Sequence, residues 1–275
     1  MKYLIESKSF TKSKTYIKKF EQIKYEELID AINSNDIVLV RSLIRSGADV
    51  NVKDPNVHDR GNTALMCAIK IKNINIVKLL MDAGADVNMV NDNKDSPLIE
   101  ASYMDNELTY RDVNKLPYRD EVIKMLINAG ADVNFQNDFG GTALNYILNK
   151  PNALKMFKFF INSGADIYLK DDLNFTTLMY AVASNNIGVV KELIRSGIDI
   201  NAQNNYGGTA LMFAARKISI AKILIDAGAD LNIRNDIGED FIDSLTDRNR
   251  NIILKAYPEK YKEYLEKKDA EKYNL

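Results

Sequence analysis

The sequence predicts an all-α protein, a solenoid of stacked helix-turn-helix units with projecting β-turn fingers. Two repeated phrases and their spacing support this prediction. The first phrase, Gly-Ala-Asp-Val-Asn, occurs at residues 47–51, 84–88 and 130–134, with variants at 164–168, 197–201 and 228–232. The second phrase, Thr or Ser with a Leu two residues later, begins at Thr63, Ser96, Thr142, Thr176 and Thr209. Successive starts are 33, 46, 34 and 33 residues apart, which indicates one base period with a single large insertion.

Each unit begins with a residue suited to cap a helix, because the hydroxyl of Thr or Ser accepts hydrogen bonds from the free N–H groups of a first helical turn. Small side chains follow, as in Thr-Ala-Leu-Met-Phe-Ala-Ala at 209–215, and let this first helix lie close to its neighbours. The second helix has a wide apolar face at 76–81, and Gly84 ends it. Asn- and Gly-rich turns at 137–141 and 204–208 predict a projecting finger before each cap.

This unit resembles the ankyrin repeat in its Thr-x-Leu start, its Ala residues, its Val- and Leu-rich second helix and its Gly-Ala-Asp-x-Asn ending. The resemblance covers residues 26–245. We interpret the chain as a basic N-terminal arm at 1–24, a capping unit at 25–52, a repeat array at 53–245 and a capping helix with a charged tail at 246–275. Within the array, an insertion at about 106–118 separates two helices, and residues 238–245 open a degraded last unit.

Some residues depart from the family pattern. The family's usual His is missing from every unit, so the hydrogen bonds that it makes between loops are expected to be absent. Its place is taken by Met66, Ile99, Asn145, Met179 and Met212. Lys94 and Asn174 stand where a finger Gly is expected, and the turn shape at Lys94 stays open because Lys tolerates positive φ poorly.

The composition excludes several classes of protein. One Cys and one His are too few for a disulfide framework or for a zinc site of the usual kind within one chain. A net charge of -1, from 37 Lys and Arg against 38 Asp and Glu, gives no overall basic field for nucleic acid. No apolar stretch approaches the roughly 18–20 residues of a membrane span, and the N-terminus does not resemble a secretory signal.

These features favour a cytoplasmic protein. The Asn-, Ile- and Lys-rich repeats and the Thr-Ala-Leu-Met variant also resemble the ankyrin repeat proteins of Mimivirus-like giant DNA viruses that infect amoebae. Intracellular bacteria have similar repeats. If the origin is viral, the expected compartment is the cytoplasm of the host cell.

The residues offer little for catalysis. His58 and Cys67 could be a base and a nucleophile, but they fall in a finger insertion and a helix, with no clear orienting carboxylate or oxyanion hole. Six Asp residues recur at one position of the first phrase, and we expect each to bond nearby backbone N–H groups rather than a metal. They are Asp49, Asp86, Asp132, Asp166, Asp199 and Asp230. We therefore predict a non-enzymatic protein without a cofactor.

Equivalent positions of successive units predict a binding surface. Four successive finger tips, three residues before the start of a unit, are apolar: Phe139, Leu173, Tyr206 and Ile237. On the first helices, four residues after the cap, three successive residues are aromatic: Tyr146, Tyr180 and Phe213. In ankyrin proteins both series line the concave groove, and aromatic residues are common in binding hot spots. Burial between repeats is the other explanation of the helix series.

The resemblance implies a non-catalytic module that binds a partner protein or peptide through the groove and the finger tips. We expect a monomer, with self-association through the groove as an alternative. A further alternative is a host-directed effector or adaptor that contacts a membrane or nucleic acid through the arm at 1–24, where seven Lys stand against two Glu. An arm folded back on the first repeat fits the same composition.

Overall fold

The computed structural model describes residues 26–56, 60–104, 118–150 and 152–273. Within these ranges all regular secondary structure is helical, apart from isolated β-bridges between Lys53 and Thr63 and between Gln203 and Thr209. The predicted all-α repeat fold is confirmed. The basic arm, His58 and the 106–118 insertion, except its last residue, lie outside the described residues. The chain divides into two compact units, Met1–Asp138 and Phe139–Leu275.

The described part of the first unit contains three helix pairs. They are α1 (residues 26–33) with α2 (Ile37–Arg45), α3 (Ala64–Lys70) with α4 (Ile74–Asp82), and α5 (Pro97–Tyr103) with α6 (Tyr118–Asn128). First helices contact first helices and second helices contact second helices, as α3 does with α5 and α2 with α4. The core between them is apolar, and Leu28, Leu65, Ile76, Leu98 and Leu126 are fully buried.

The second unit continues the same arrangement. Its helices are α7 (Ala143–Ile147), α8 (Ala153–Asn162), α9 (Thr177–Ala183), α10 (Ile187–Arg195), α11 (Ala210–Phe213), α12 (Ile218–Asp226), α13 (Asp247–Ala256) and α14 (Pro258–Tyr273). One layer contains α7, α9 and α11, and the other contains α8, α10 and α12. The fully buried side chains of Leu144, Phe160, Leu178, Val190 and Leu224 fill the space between the layers. α13 packs on α12, and α14 packs on α13.

A Thr or Ser side chain caps every first helix from α3 to α11, as the sequence predicts. Its hydroxyl oxygen accepts a hydrogen bond from the backbone N–H three residues later, at 3.2–3.4 Å. The capping residues are Thr63, Ser96, Thr142, Thr176 and Thr209. All five are buried, so the hydroxyl takes the place of water as the partner of an N–H group.

The Gly-Ala-Asp-x-Asn phrase turns the chain after each second helix. In all six copies the Asp carboxylate accepts a hydrogen bond from the backbone N–H two residues later, at 2.8–3.0 Å. This confirms the local role predicted for these six Asp residues.

The Asn that ends the phrase joins one repeat to the next, a role that the sequence did not indicate. Asn51 donates from Nδ2 to the carbonyl of Gly84 at 3.3 Å and accepts from the N–H of Asp86 at 2.7 Å. Asn88 makes the same two bonds to the following copy of the phrase. Where Tyr168 replaces the Asn, its hydroxyl bonds a backbone carbonyl of the following repeat at 3.1 Å. Each of these residues therefore holds the turn of the next repeat.

The fingers keep one turn shape whether or not a Gly is present. Lys94 has a φ of 55° and Asn174 a φ of 59°, close to the 69° of Gly140 and Gly207. The turn at Lys94, which the sequence left open, therefore has the shape of the other fingers.

Side chains other than the missing His form hydrogen bonds between loops. Asn91 Nδ2 donates to Asn62 Oδ1 at 3.0 Å, and Asn137 Nδ2 donates to Asp95 Oδ1 at 2.7 Å. All four side chains are buried, and a buried polar group without a partner would cost about 1–3 kcal/mol. Polar contacts therefore join these loops in addition to packing.

The sequence predicts that residues 238–245 open a degraded last unit at the C-terminal end. Residues 241–245 form turns rather than a first helix, and α13 begins directly after the Thr246 cap. The buried carboxylate of Asp240 accepts from the hydroxyl of Tyr264 at 2.9 Å and from Nζ of Lys268 at 3.3 Å. This segment is therefore the docking point of α14. The segment boundaries proposed from the sequence remain predictions.

Replacing Gly140 with Ala should destabilise the protein more than replacing Gly164 with Ala. Both residues have positive φ, which costs a residue with a Cβ about 1–2 kcal/mol. A Cβ on Gly140 would also lie 2.6 Å from the backbone N of Asp172 in the next finger, whereas a Cβ on Gly164 would meet nothing within 4 Å. Urea unfolding followed by circular dichroism measures both losses. Equal losses would contradict the close contact between fingers.

Candidate functional site

Four finger tips of the second unit carry exposed apolar side chains, hereafter the tip row. The exposed fraction is 63% for Phe139, 45% for Leu173, 58% for Tyr206 and 78% for Ile237. Single exposed apolar residues are normal on protein surfaces, but exposed apolar groups at one position of consecutive fingers suggest a binding surface. The structure thus places all four tip residues named from the sequence in contact with solvent.

Two sets of hydrogen bonds hold the tips in place. Within a finger, an oxygen of the side chain two residues before the tip accepts from the tip N–H, as Asp171 does for Leu173 at 2.9 Å. Between fingers, the tip carbonyl accepts from the N–H of the residue that precedes the next tip, at 2.9–3.1 Å. The donors are Asp172 to Phe139, Asn205 to Leu173 and Asp236 to Tyr206. These hydrogen bonds to the backbone therefore set the register of the fingers, and the tip side chains project from the finger backbone.

The three first-helix aromatics, Tyr146, Tyr180 and Phe213, are half-buried. Phe175, which the sequence analysis did not single out, lies between two of them. Its ring centre is 5.8 Å from that of Tyr180 and 5.3 Å from that of Phe213, with the rings tilted by 50° and 41°. Aromatic pairs at such distances contribute about 0.5–1.5 kcal/mol each beyond their buried area. The helix series therefore packs internally and also keeps part of its surface accessible.

The position of Phe175 explains how the sequence could have revealed it. Phe175 directly precedes a cap, where Gly141 and Gly208 stand in the neighbouring units. At Gly141 the hydroxyl of Tyr146 occupies the space that a Cβ would need. The signal was an aromatic residue at a position where the neighbouring units on both sides have Gly.

Asp171 links a finger to the first helix behind it. One carboxylate oxygen accepts from the N–H groups of Leu173 and Phe175, at 2.9 and 2.8 Å, and the other accepts from the Tyr180 hydroxyl. Burial, and then the bond to Asp171, raises the pKa of Tyr180 well above its ordinary value. The hydroxyl therefore stays protonated and donates a bond that joins the tip row to the helix aromatics.

The equivalent surface of the first unit is polar. A cavity of about 420 Å³ lies between its fingers and first helices, lined by Arg60, Asn62, Lys70, Asn91, Asp95, Glu100 and Tyr103. Glu100 stands where the second unit has aromatic rings, and burial raises the pKa of its carboxyl. Among the described fingers, the apolar tips thus belong to the second unit.

The predicted Asp series does not assemble into a metal centre. Within the described ranges, no three or more His, Cys, Asp or Glu side chains are arranged to hold a metal ion. Cys67 is buried, with its Sγ 3.9 Å from a carboxylate oxygen of Asp54. None of the helices in the described part of the chain has both the length and the hydropathy of a membrane-spanning segment.

Helix pairs in two layers, with left-handed turns between them and hydrogen-bonded fingers before them, define a helical repeat protein. The sequence profile of ankyrin repeats (3 copies) matches residues 28–112, 113–204 and 147–235. The chain belongs to the ankyrin repeat family. Ankyrin repeats are general protein–protein interaction modules and are typically not enzymes.

The chain is similar to the solved ankyrin repeat domain of Bcl-3, described as a unique member of the IkappaB protein family. The TM-score is 0.63 and the identity is 22%, over 83% of this chain and 97% of that chain. In total 589 solved chains match, and at 22% identity the similarity shows the fold and not a partner. No curated protein matches the sequence. The resemblance to proteins of giant viruses and the cytoplasmic location remain predictions.

Tyr180 should make the protein less stable at alkaline pH. The folded protein keeps the Tyr180 proton above pH 10, where a Tyr of the unfolded chain loses it. The unfolded form then binds fewer protons, so the free energy of unfolding falls as the pH rises beyond about 10. In Tyr180→Phe the free energy of unfolding should fall less steeply with pH than in the wild type. One proton changes this slope by at most roughly 1.4 kcal/mol per pH unit. We expect only a fraction of that value, because solvent screens a half-buried group.

Urea unfolding from about pH 8 to about pH 11 measures this difference. Tyr206→Phe, which removes an exposed hydroxyl from the tip row, is the matched control. Parallel pH profiles for Tyr180→Phe and the wild type would show that this hydroxyl does not contribute to the loss.

Proposed function

We propose that the chain binds a partner protein or peptide through the tip row and the aromatics Tyr146, Tyr180 and Phe213 behind it, without catalysing a reaction. The exposure of apolar side chains on four consecutive fingers, whose backbones are already hydrogen-bonded to one another, is the observation that carries this proposal. Ankyrin repeats bind proteins in general. The assignment to this surface is particular to this chain.

The rigidity of the fingers supports this surface as a binding site. The carbonyls of Phe139, Leu173 and Tyr206 are each bonded to the next finger, and Asp171 holds one finger against the first helix behind it. A partner that docks on such a surface loses little affinity to ordering of the tip backbone. Most of the free energy gained by covering the tips is then available for binding.

The chemistry of the surface suits a protein partner. Covering apolar area is worth about 25 cal/mol per Å², and the tip row presents aromatic and aliphatic groups side by side in sequence order. The half-buried rings of Tyr180 and Phe213 add polarisable aromatic surface behind the tips, and both rings contact Phe175. Tyr and Phe are enriched in the centres of protein interfaces. In ankyrin proteins, fingers and first helices line the same groove.

Changing Phe139, Leu173 and Tyr206 together to Ser should abolish partner binding and leave the fold intact. These side chains are exposed, and exposed substitutions usually change stability by less than about 0.5 kcal/mol each. Affinity capture from a host-cell lysate, followed by mass spectrometry, compares the variant with the wild type.

A matched control changes three other exposed apolar residues, Val38, Leu39 and Leu265, to Ser. They are 75%, 44% and 41% exposed and lie in helices rather than fingers. This control should retain the partner. If the tip variant keeps the same partners, with a circular dichroism spectrum like that of the wild type, binding occurs elsewhere on the chain.

A further inference from the structure

We propose that the tip row recognises a partner segment in which Lys or Arg side chains are interspersed among apolar ones, and that Asp172 and Asp236 bind those cations. This inference rests on the proposed function, because it assigns a partner chemistry to the same surface. It is carried by the position of the two carboxylates and by their lack of a partner among the described residues.

Each carboxylate-bearing residue lies between two apolar tips. The backbone N–H of Asp172 bonds the carbonyl of the tip residue Phe139 at 3.1 Å, and the next residue in the chain is itself a tip. The backbone N–H of Asp236 bonds the carbonyl of Tyr206 at 3.1 Å in the same way. The remaining position between tips is Asn205, whose Nδ2 donates to the carbonyl of Asp172 at 3.0 Å. Along the row, apolar tips therefore alternate with an acid, an amide and a second acid.

The equivalent carboxylates of the first unit are neutralised within the chain. Asp92 pairs with Lys53 at 3.5 Å, and Asp138 pairs with Lys94 at 2.7 Å. The two carboxylates of the tip row are exposed, and neither makes a side-chain hydrogen bond or an ion pair with a described residue. They are thus available to a cation from outside the chain.

A partner that covers the apolar tips must also remove water from these two carboxylates. Burying a carboxylate without a partner is costly, because its hydration is lost and nothing replaces it. A Lys or Arg next to an apolar anchor supplies charge-assisted hydrogen bonds, which an acidic or wholly apolar segment does not. The apolar stems of Lys and Arg also cover neighbouring tips. Charge complementarity therefore favours a segment that is both basic and apolar.

Selection of a random peptide library on the full chain tests this chemistry. A parallel selection on the variant with Phe139, Leu173 and Tyr206 changed to Ser identifies the peptides that need the tip row. We expect those peptides to be enriched in Lys and Arg relative to the unselected library. The affinity of one such synthetic peptide, measured by fluorescence anisotropy, should fall about tenfold when Asp172→Asn and Asp236→Asn are combined. It should also fall as the salt concentration rises.

The matched control combines Asp92→Asn and Asp138→Asn, at equivalent positions whose cations come from the chain itself. Its affinity should stay within about twofold of the wild type. Peptides that need the tip row but show no basic excess, or that bind the Asp172 and Asp236 double variant as tightly as the wild type, overturn this inference and leave the proposed function standing. If no selected peptide depends on the tip row, the proposed binding surface fails, and this inference fails with it.

Discussion

Hydrogen bonds that pass from one repeat to the next set the spacing on which the rest of each compact unit depends. Finger N–H groups bond the carbonyl of the preceding tip at 2.9–3.1 Å, and Asn51 and Asn88 bond the turn that follows the next second helix. A single repeat has too little apolar surface for a core of its own, so its helices must pack on those of its neighbours. The directional bonds between fingers and turns determine the register in which that packing occurs.

The same bonds decide which groups reach solvent. Because neighbouring fingers bond to the backbone of a finger, the side chain at its tip can differ from one unit to the next without loss of those bonds. The two compact units use this freedom differently. The first has Arg60 and Asn93 at its tips and a polar cavity near Glu100, whereas the second has apolar tips over half-buried aromatic rings. The same repeat fold therefore presents a polar surface in the first unit and an apolar surface in the second.

The local features were predictable, and the contacts between repeats were mostly not. The caps and the Asp turns follow from residues two or three positions apart, and the structure has them where the sequence predicts. Asn51 and Phe175 were missed because their partners lie in other structural elements. Residues 238–245 were predicted to open a degraded last unit, but the sequence did not indicate that Asp240 bonds to Tyr264 and Lys268 of α14.

The sequence by itself determined the repeat, its period, the helix caps, the turn residues and the apolar identity of the tips, because each of these depends on neighbours along the chain. Only the tertiary structure decided that Tyr180 donates to Asp171 and that Phe175 lies between two aromatic rings. It also decided that, among the described residues, the Asp172 and Asp236 carboxylates have no Lys partner like those of Asp92 and Asp138. These contacts depend on which side chains of folded neighbouring elements come within a few ångströms, and that distance is set by packing rather than by local pattern.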